Sequence, residues 1–135
     1  SSMRNKRSRH PPRSDDKLVD WEFYRIIYII ENILRFIRAK KILRDPDNRR
    51  KTIYGLLMND KEVWLSLAGK KKGGKHYPAA RILLHEVLHV LYQAVIPHST
   101  IYSKENILWR RLTDEQKRFL RRYVPRRTVK TEPRK

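Results

Sequence analysis

"YPAARILLHEVLHVLYQAVIPH", residues 77–98, is the stretch on which the reading of this chain turns. Pro78 suits a first helical position, Pro97 ends the run, and the apolar residues between them leave few positions for water. The pattern predicts a buried central helix from Tyr77 to about Ile96. Within it, "HEVLH" sets His85 and His89 one turn apart on one face, where two imidazoles reach a single ion. Burying two histidines and a glutamate among aliphatic side chains is costly unless they are partnered, and a metal resolves that cost. Glu86 is displaced around the helix, which puts its carboxylate beside a water that the metal activates, in the place of a general base. A third protein ligand must come from elsewhere in the chain, leaving a fourth position for water. Cysteine is absent, so His, Asp and Glu are the available ligands, and Zn2+ is the expected ion.

Working outward, "SDDKLVDWEFYRIIYIIENILRFIRAKKIL" reads as one long helix. Ser14 is its candidate N-cap, Asp15 and Asp16 lie in its first turn, and Arg38, Lys40 and Lys41 lie at its end. Val19, Phe23, Ile26, Ile30 and Ile37 fall on its buried stripe, with a strand over Ile26 to Ile30 as the alternative. "RDPDNRR" breaks the pattern. Thr52 to Met58 and Glu62 to Ala68 read as a hairpin turning near Asn59 and Asp60, with Val63, Leu65 and Leu67 on its buried face. A glycine-broken basic loop, "GKKKGGKHYP", precedes the central helix. After Pro97 a short helix from Ser103 carries Glu105 and Leu108, and "TDEQ" at 113–116 is a capping box opening a last helix to about Tyr123. The fold class is therefore α+β: an N-terminal helix, a short β-hairpin or sheet, the central HExxH helix and C-terminal helices.

Charge is the second unusual feature. The 135 residues carry 33 Lys and Arg against 14 Asp and Glu, a net +19, which favours polyanionic partners. Residues 1–14, whose opening Ser1–Met3 reads as an expression-vector scar, and residues 125–135 supply +9 of this and have almost nothing to bury. Both are expected to be disordered tails around one domain at 15–124. No run reaches the roughly 18 apolar residues of a membrane span, and the N-terminus lacks the apolar core of a signal peptide, so a cytoplasmic protein without membrane association is expected.

With these elements in order, the chain resembles the zincin metallopeptidases, in particular their smallest single-domain gluzincin members, sometimes called minigluzincins. The likeness covers about residues 15–124 and implies a minimal zincin-like core. "HEVLH" is its specific motif; the remainder is architecture. It implies that His85 and His89 bind zinc, that Glu86 is the general base, and that a downstream glutamate is the third ligand, for which Glu105 is the candidate. His98 is the alternative, since imidazole ligates equally well. The metzincin pattern fails, because its third histidine falls at Val95 and its glycine at Tyr92. SprT-like proteases, which act on proteins attached to DNA, are a more distant likeness: their His-Gly meets His98-Ser99 here, and a zinc ribbon is lacking.

Tyr92, Tyr102 and Tyr123 are candidates to donate to a developing oxyanion, each with packing as its plainer role. Lys70, Lys71, Lys72, Lys75, Arg121 and Arg122 are candidates for contact with nucleic acid or an acidic partner, with a solvated surface as theirs. Two functions follow as expectations. One is a zinc metallopeptidase cutting an internal bond of an extended segment that adds to an edge strand near Glu62 to Ala68, either latent, with its own tail in the cleft, or localised to nucleic acid. The other is a basic nucleic-acid-binding protein with a structural or vestigial metal site.

Overall fold

The structure, a computed structural model, describes residues 10–66, 78–92 and 96–133. Its mixed α+β architecture agrees with the sequence reading. Asp16 rather than Ser14 caps α1 (Lys17–Asn32): its carboxylate accepts from the Leu18 and Val19 amides at 3.1 and 3.2 Å, satisfying donors of the first turn. Ser14 instead donates to Asp20 from both its amide and its hydroxyl. Ile26, Ile27, Ile29 and Ile30 are helical and buried, as the periodic stripe requires.

The expected long helix stops at Asn32, and Arg35–Ala39 forms strand β1. Phe36 and Ile37 fit a helical stripe by spacing alone, yet they point to opposite faces of a sheet. Phe36 pairs with Val63 and packs on the helical core, while Ile37 pairs with Trp64 and packs on a second core. A segment with apolar partners on both sides gains more as a strand than as a helix with one buried face.

β2 (Leu43–Asp45) and β3 (Asn48–Ile53) form an antiparallel hairpin where the sequence suggested only a break, with Pro46 and Asp47 at its turn. The chain then changes sheet at Tyr54, so the expected strand Thr52 to Met58 is divided and β4 spans Gly55–Met58. β4 turns antiparallel into β5 (Glu62–Leu65) through Asn59 and Asp60, both left-handed with φ of 53° and 57°, a conformation Asn and Asp tolerate better than most residues. Leu67 and Ala68 lie outside the described residues. Trp64 and Ser66, expected on a solvent face, are buried because the β2–β3 hairpin covers that side. Ser66 ties the layers: its hydroxyl donates to the Ile53 carbonyl and accepts from the Leu43 amide, both at 2.8 Å.

The main sheet has the order β4-β5-β1-β6, with β6 (Thr128–Val129) parallel to β1. In the C-terminal segment Thr128 and Val129 pair with Arg38 and Ala39 of β1, and Glu132 meets Arg49. On the N-terminal side, the carbonyls of Pro11 and Pro12 accept from Tyr24 and Gln116, so the segment from His10 packs on the helices. The sheet order also places β5 between β4 and β1, so that among the described residues the edge strands are β4 and β6 rather than Glu62 to Ala68.

Helices cover the other face of the sheet. α2 (Ala79–Leu91) is buried along most of its length, with Pro78 at its N-cap. α3 (His98–Arg111) begins five residues before the expected Ser103, immediately after Pro97. α4 (Asp114–Arg121) opens on the expected capping box, in which the Gln116 side-chain oxygen accepts from the Thr113 amide at 3.0 Å and the Thr113 hydroxyl accepts from the Gln116 amide at 3.1 Å. Among the described residues, no helix is long and apolar enough to cross a membrane.

A candidate metal centre between α2 and α3

His85 and His89 project from α2 into an open cleft, and His98, the first residue of α3, faces them. The His85 and His89 Nε2 atoms are 3.2 Å apart, and the ligating nitrogens of all three residues lie within 4.8 Å of one another. A tetrahedral zinc with bonds of about 2.0–2.1 Å spaces its nitrogen ligands by about 3.4 Å. The α2 pair already has that spacing, and the exposed His98 would complete a set of three if its ring moved closer to them. Burial lowers the pKa of His89 to about 4 and also lowers that of His98, each reinforced by neighbouring positive charge. Both imidazoles are therefore neutral near pH 7, the form that binds metals. The donor set fits a first-row divalent ion.

Glu105 occupies a different place from the one the zincin resemblance implied. Its carboxylate is fully buried, and one oxygen meets His85 Nδ1 at 2.9 Å while the other accepts from Arg81 Nε. It thus sits at the ring edge of His85 opposite the nitrogen that faces His89. Glu105 fixes the His85 tautomer and orientation, and His98 takes the third position in the cluster. Arg81 also donates to Asn106 Oδ1 at 3.1 Å, which fastens α2 to α3 beside the cluster.

Glu86 is buried on the cleft wall, and burial raises its pKa to about 7. β4 crosses directly over it. A Cβ at Gly55 would lie 2.6 Å from Ile82 Cγ2 and 2.9 Å from Glu86 Oε2, so only glycine lets the strand approach this closely. The cleft holds about 880 Å3, with Lys51–Leu57 on one side and His85, Glu86, His89, His98 and Tyr102 on the other.

Of the three tyrosines, Tyr102 alone lies at the cluster, its ring centroid 4.6 Å from that of His85 and 4.8 Å from that of His98. Burial raises its pKa, so it remains a hydrogen-bond donor. Tyr92 donates to Glu22 and Tyr123 to Glu31 at 2.7 Å, which engages both hydroxyls with α1. No protein-family model, curated protein or solved structure matches the chain. Lys70, Lys71, Lys72 and Lys75 lie outside the described residues. Arg121 is exposed on α4, and Arg122 covers the Phe119 ring at 4.4 Å.

Arg81 and Gly55 carry signals that sequence reasoning passed over. Arg81 is the one cation within the apolar α2 run and stands one turn before His85, as a partner for a buried acid would. Gly55 interrupts a strand pattern, a common mark of close approach.

Proposed function

We propose that the protein is a metal-dependent peptidase with His85, His89 and His98 as zinc ligands and Glu86 as general base. The observation that carries this reading is the convergence of three imidazoles and a buried carboxylate on a cleft walled by β4, an edge strand among the described residues. A metal held by His85, His89 and His98 would supply Lewis-acid activation of water and of the substrate carbonyl.

The remaining work falls to the chain. Among the described residues β4 has no strand on its outer side, and there an extended substrate adds as a further strand, setting its scissile bond over the cluster. Gly55 brings that strand onto α2, and Glu86 beneath it accepts the proton released by the nucleophile and returns it to the departing amine. Tyr102 donates a hydrogen bond toward the carbonyl oxygen as negative charge develops there. Glu105 and Arg81 hold His85 in place throughout.

A purely structural metal site closes its coordination sphere with four protein ligands, whereas three protein donors facing an open cleft favour catalysis. The described part of the C-terminal segment lies at the β1 edge, away from β4, so nothing in it supports latency by self-occupation. The test is zinc-loaded protein assayed against a quenched-fluorescence peptide library. The parent should cleave, and Glu86→Gln should bind zinc but lose activity by roughly a thousandfold or more. Metal-free, inactive parent protein, or a Glu86→Gln variant as active as the parent, refutes the reading.

A further inference from the structure

A second feature lies on the β2–β3 hairpin and the adjoining C-terminal segment, where positive charge accumulates. Residues 35–51 contain eight basic and two acidic side chains. β3 exposes Arg49, Arg50 and Lys51 in succession, while Leu43 and Ile53 of the same hairpin pack inward against the sheet. The C-terminal segment lies alongside. Arg49 Nη2 contacts Glu132 at 2.9 Å, and Arg49, then Lys41 and Arg44, hold that carboxylate below its usual pKa range. Lys41, Arg49 and Lys130 wall a cavity of about 700 Å3 that also contains Glu132 and Trp64. One carboxylate therefore occupies a basin built from several cations. The Arg49–Glu132 bridge is more than half exposed on both sides, so an external anion displaces it at little cost.

We propose that this face, formed by the β2–β3 hairpin and the C-terminal segment, binds the phosphodiester backbone of nucleic acid, with Glu132 standing in for one phosphate in the free protein. Guanidinium forks pair with phosphate oxygens as readily as with a carboxylate. A protein partner would call for a clustered apolar anchor at the centre of its interface, whereas Leu43 and Ile53 pack inward and the exposed apolar side chains of these segments, Ile42 and Val129, stand next in sequence to Lys41 and Lys130. Binding is electrostatic and indifferent to base sequence. It does not involve the imidazole cluster, so it stands or falls separately from peptidase activity.

The test uses the full chain and fluorescence anisotropy of a labelled DNA duplex of about 20 base pairs, titrated from about 50 to about 200 mM salt. Arg44→Gln, Arg49→Gln and Arg50→Gln combined should weaken binding roughly tenfold or more and reduce the slope of log K against log salt by about 2 to 3. An equal charge change on α3 and α4, Arg110→Gln with Arg118→Gln and Arg121→Gln, should cost less than about threefold. Glu132→Gln, which removes the resident carboxylate, should tighten binding by roughly two- to fivefold, and a chelator should leave it unchanged. Equal losses in the two triple variants, absence of DNA binding by the parent, or stronger binding of polyglutamate than of DNA would overturn the proposal. Should the hairpin triple fail to fold by circular dichroism, Glu132→Gln decides alone, and unchanged or weakened binding by it overturns the proposal.

Discussion

Substituting Glu105 by glutamine separates a residue that supports the metal site from one that belongs to it. In the parent, the buried carboxylate satisfies Arg81 with one oxygen and His85 Nδ1 with the other. Glutamine keeps a single acceptor and directs an NH2 donor at whichever partner it abandons. Arg81, whose side chain is only 17% exposed, is then left poorly paired. Breaking a buried pair in this way costs about 3–5 kcal/mol, which in a domain of this size lowers the melting temperature by on the order of 10–20 °C. Losing the bond that orients His85 should also weaken zinc binding by roughly 10–100-fold without abolishing it. His98→Ala should give the opposite pattern. His98 is exposed, so the metal-free melting temperature should move by less than about 3 °C, while tight zinc binding disappears with the third ligand. Differential scanning calorimetry in chelator and a competitive zinc titration supply both readouts. If Glu105→Gln leaves metal-free stability unchanged and removes zinc as completely as His98→Ala does, the assignment of the two residues is wrong.

Gly55→Ala should shift β4 or the Glu86 carboxylate, because the added Cβ meets Ile82 Cγ2 at 2.6 Å. We expect a stability loss of about 1–3 kcal/mol and a fall in peptidase activity of roughly 10–100-fold, with zinc content by atomic absorption unchanged. Undiminished activity would show that the strand's close approach does not set the base. A third prediction concerns pH in the metal-free protein. Between 4.5 and about 7, folded Glu86 holds more proton than the unfolded chain does, so its contribution to stability falls as pH rises. Between about 4 and 6.5, the unfolded chain holds more proton at His89, so that contribution rises with pH and largely offsets the first. Glu86→Gln removes one side of this balance. Its urea midpoint should climb more steeply than the parent's over that window, by on the order of 1–3 kcal/mol in total, and parallel curves would refute the opposition.

The parts of the molecule legible in sequence were those fixed by local spacing. His85, Glu86 and His89 follow from helical periodicity, and α4 from a capping box that its own four residues complete. β1 was hidden because Phe36 and Ile37 also extend a helical stripe, and only the layers meeting both faces of the sheet make a strand the better solution. The choice between Glu105 and His98 depended on which edge of the His85 ring each residue reaches. That follows from how α3 crosses α2 and from Arg81, which draws Glu105 to the Nδ1 side. β6 has two residues and no periodicity of its own, and it forms because β1 presents an edge beside it.

The sheet lies between two unequal cores. Among the described residues, the helical side gathers twenty buried apolar side chains into one cluster, while the hairpin side has four, namely Ala39, Leu43, Met58 and Trp64, together with the Ser66 tie. The outer layer is consequently expected to open at lower free energy than the helical side, leaving α2 and α3 intact. Lys51, Thr52 and Ile53 of that layer form the cleft's outer wall. Breathing of the hairpin would therefore set how wide the cleft becomes, without disturbing the histidines. Entry to the site and integrity of the site are separate equilibria in this fold, and amide hydrogen exchange would register the first in β2 and β3 well before the second in α2.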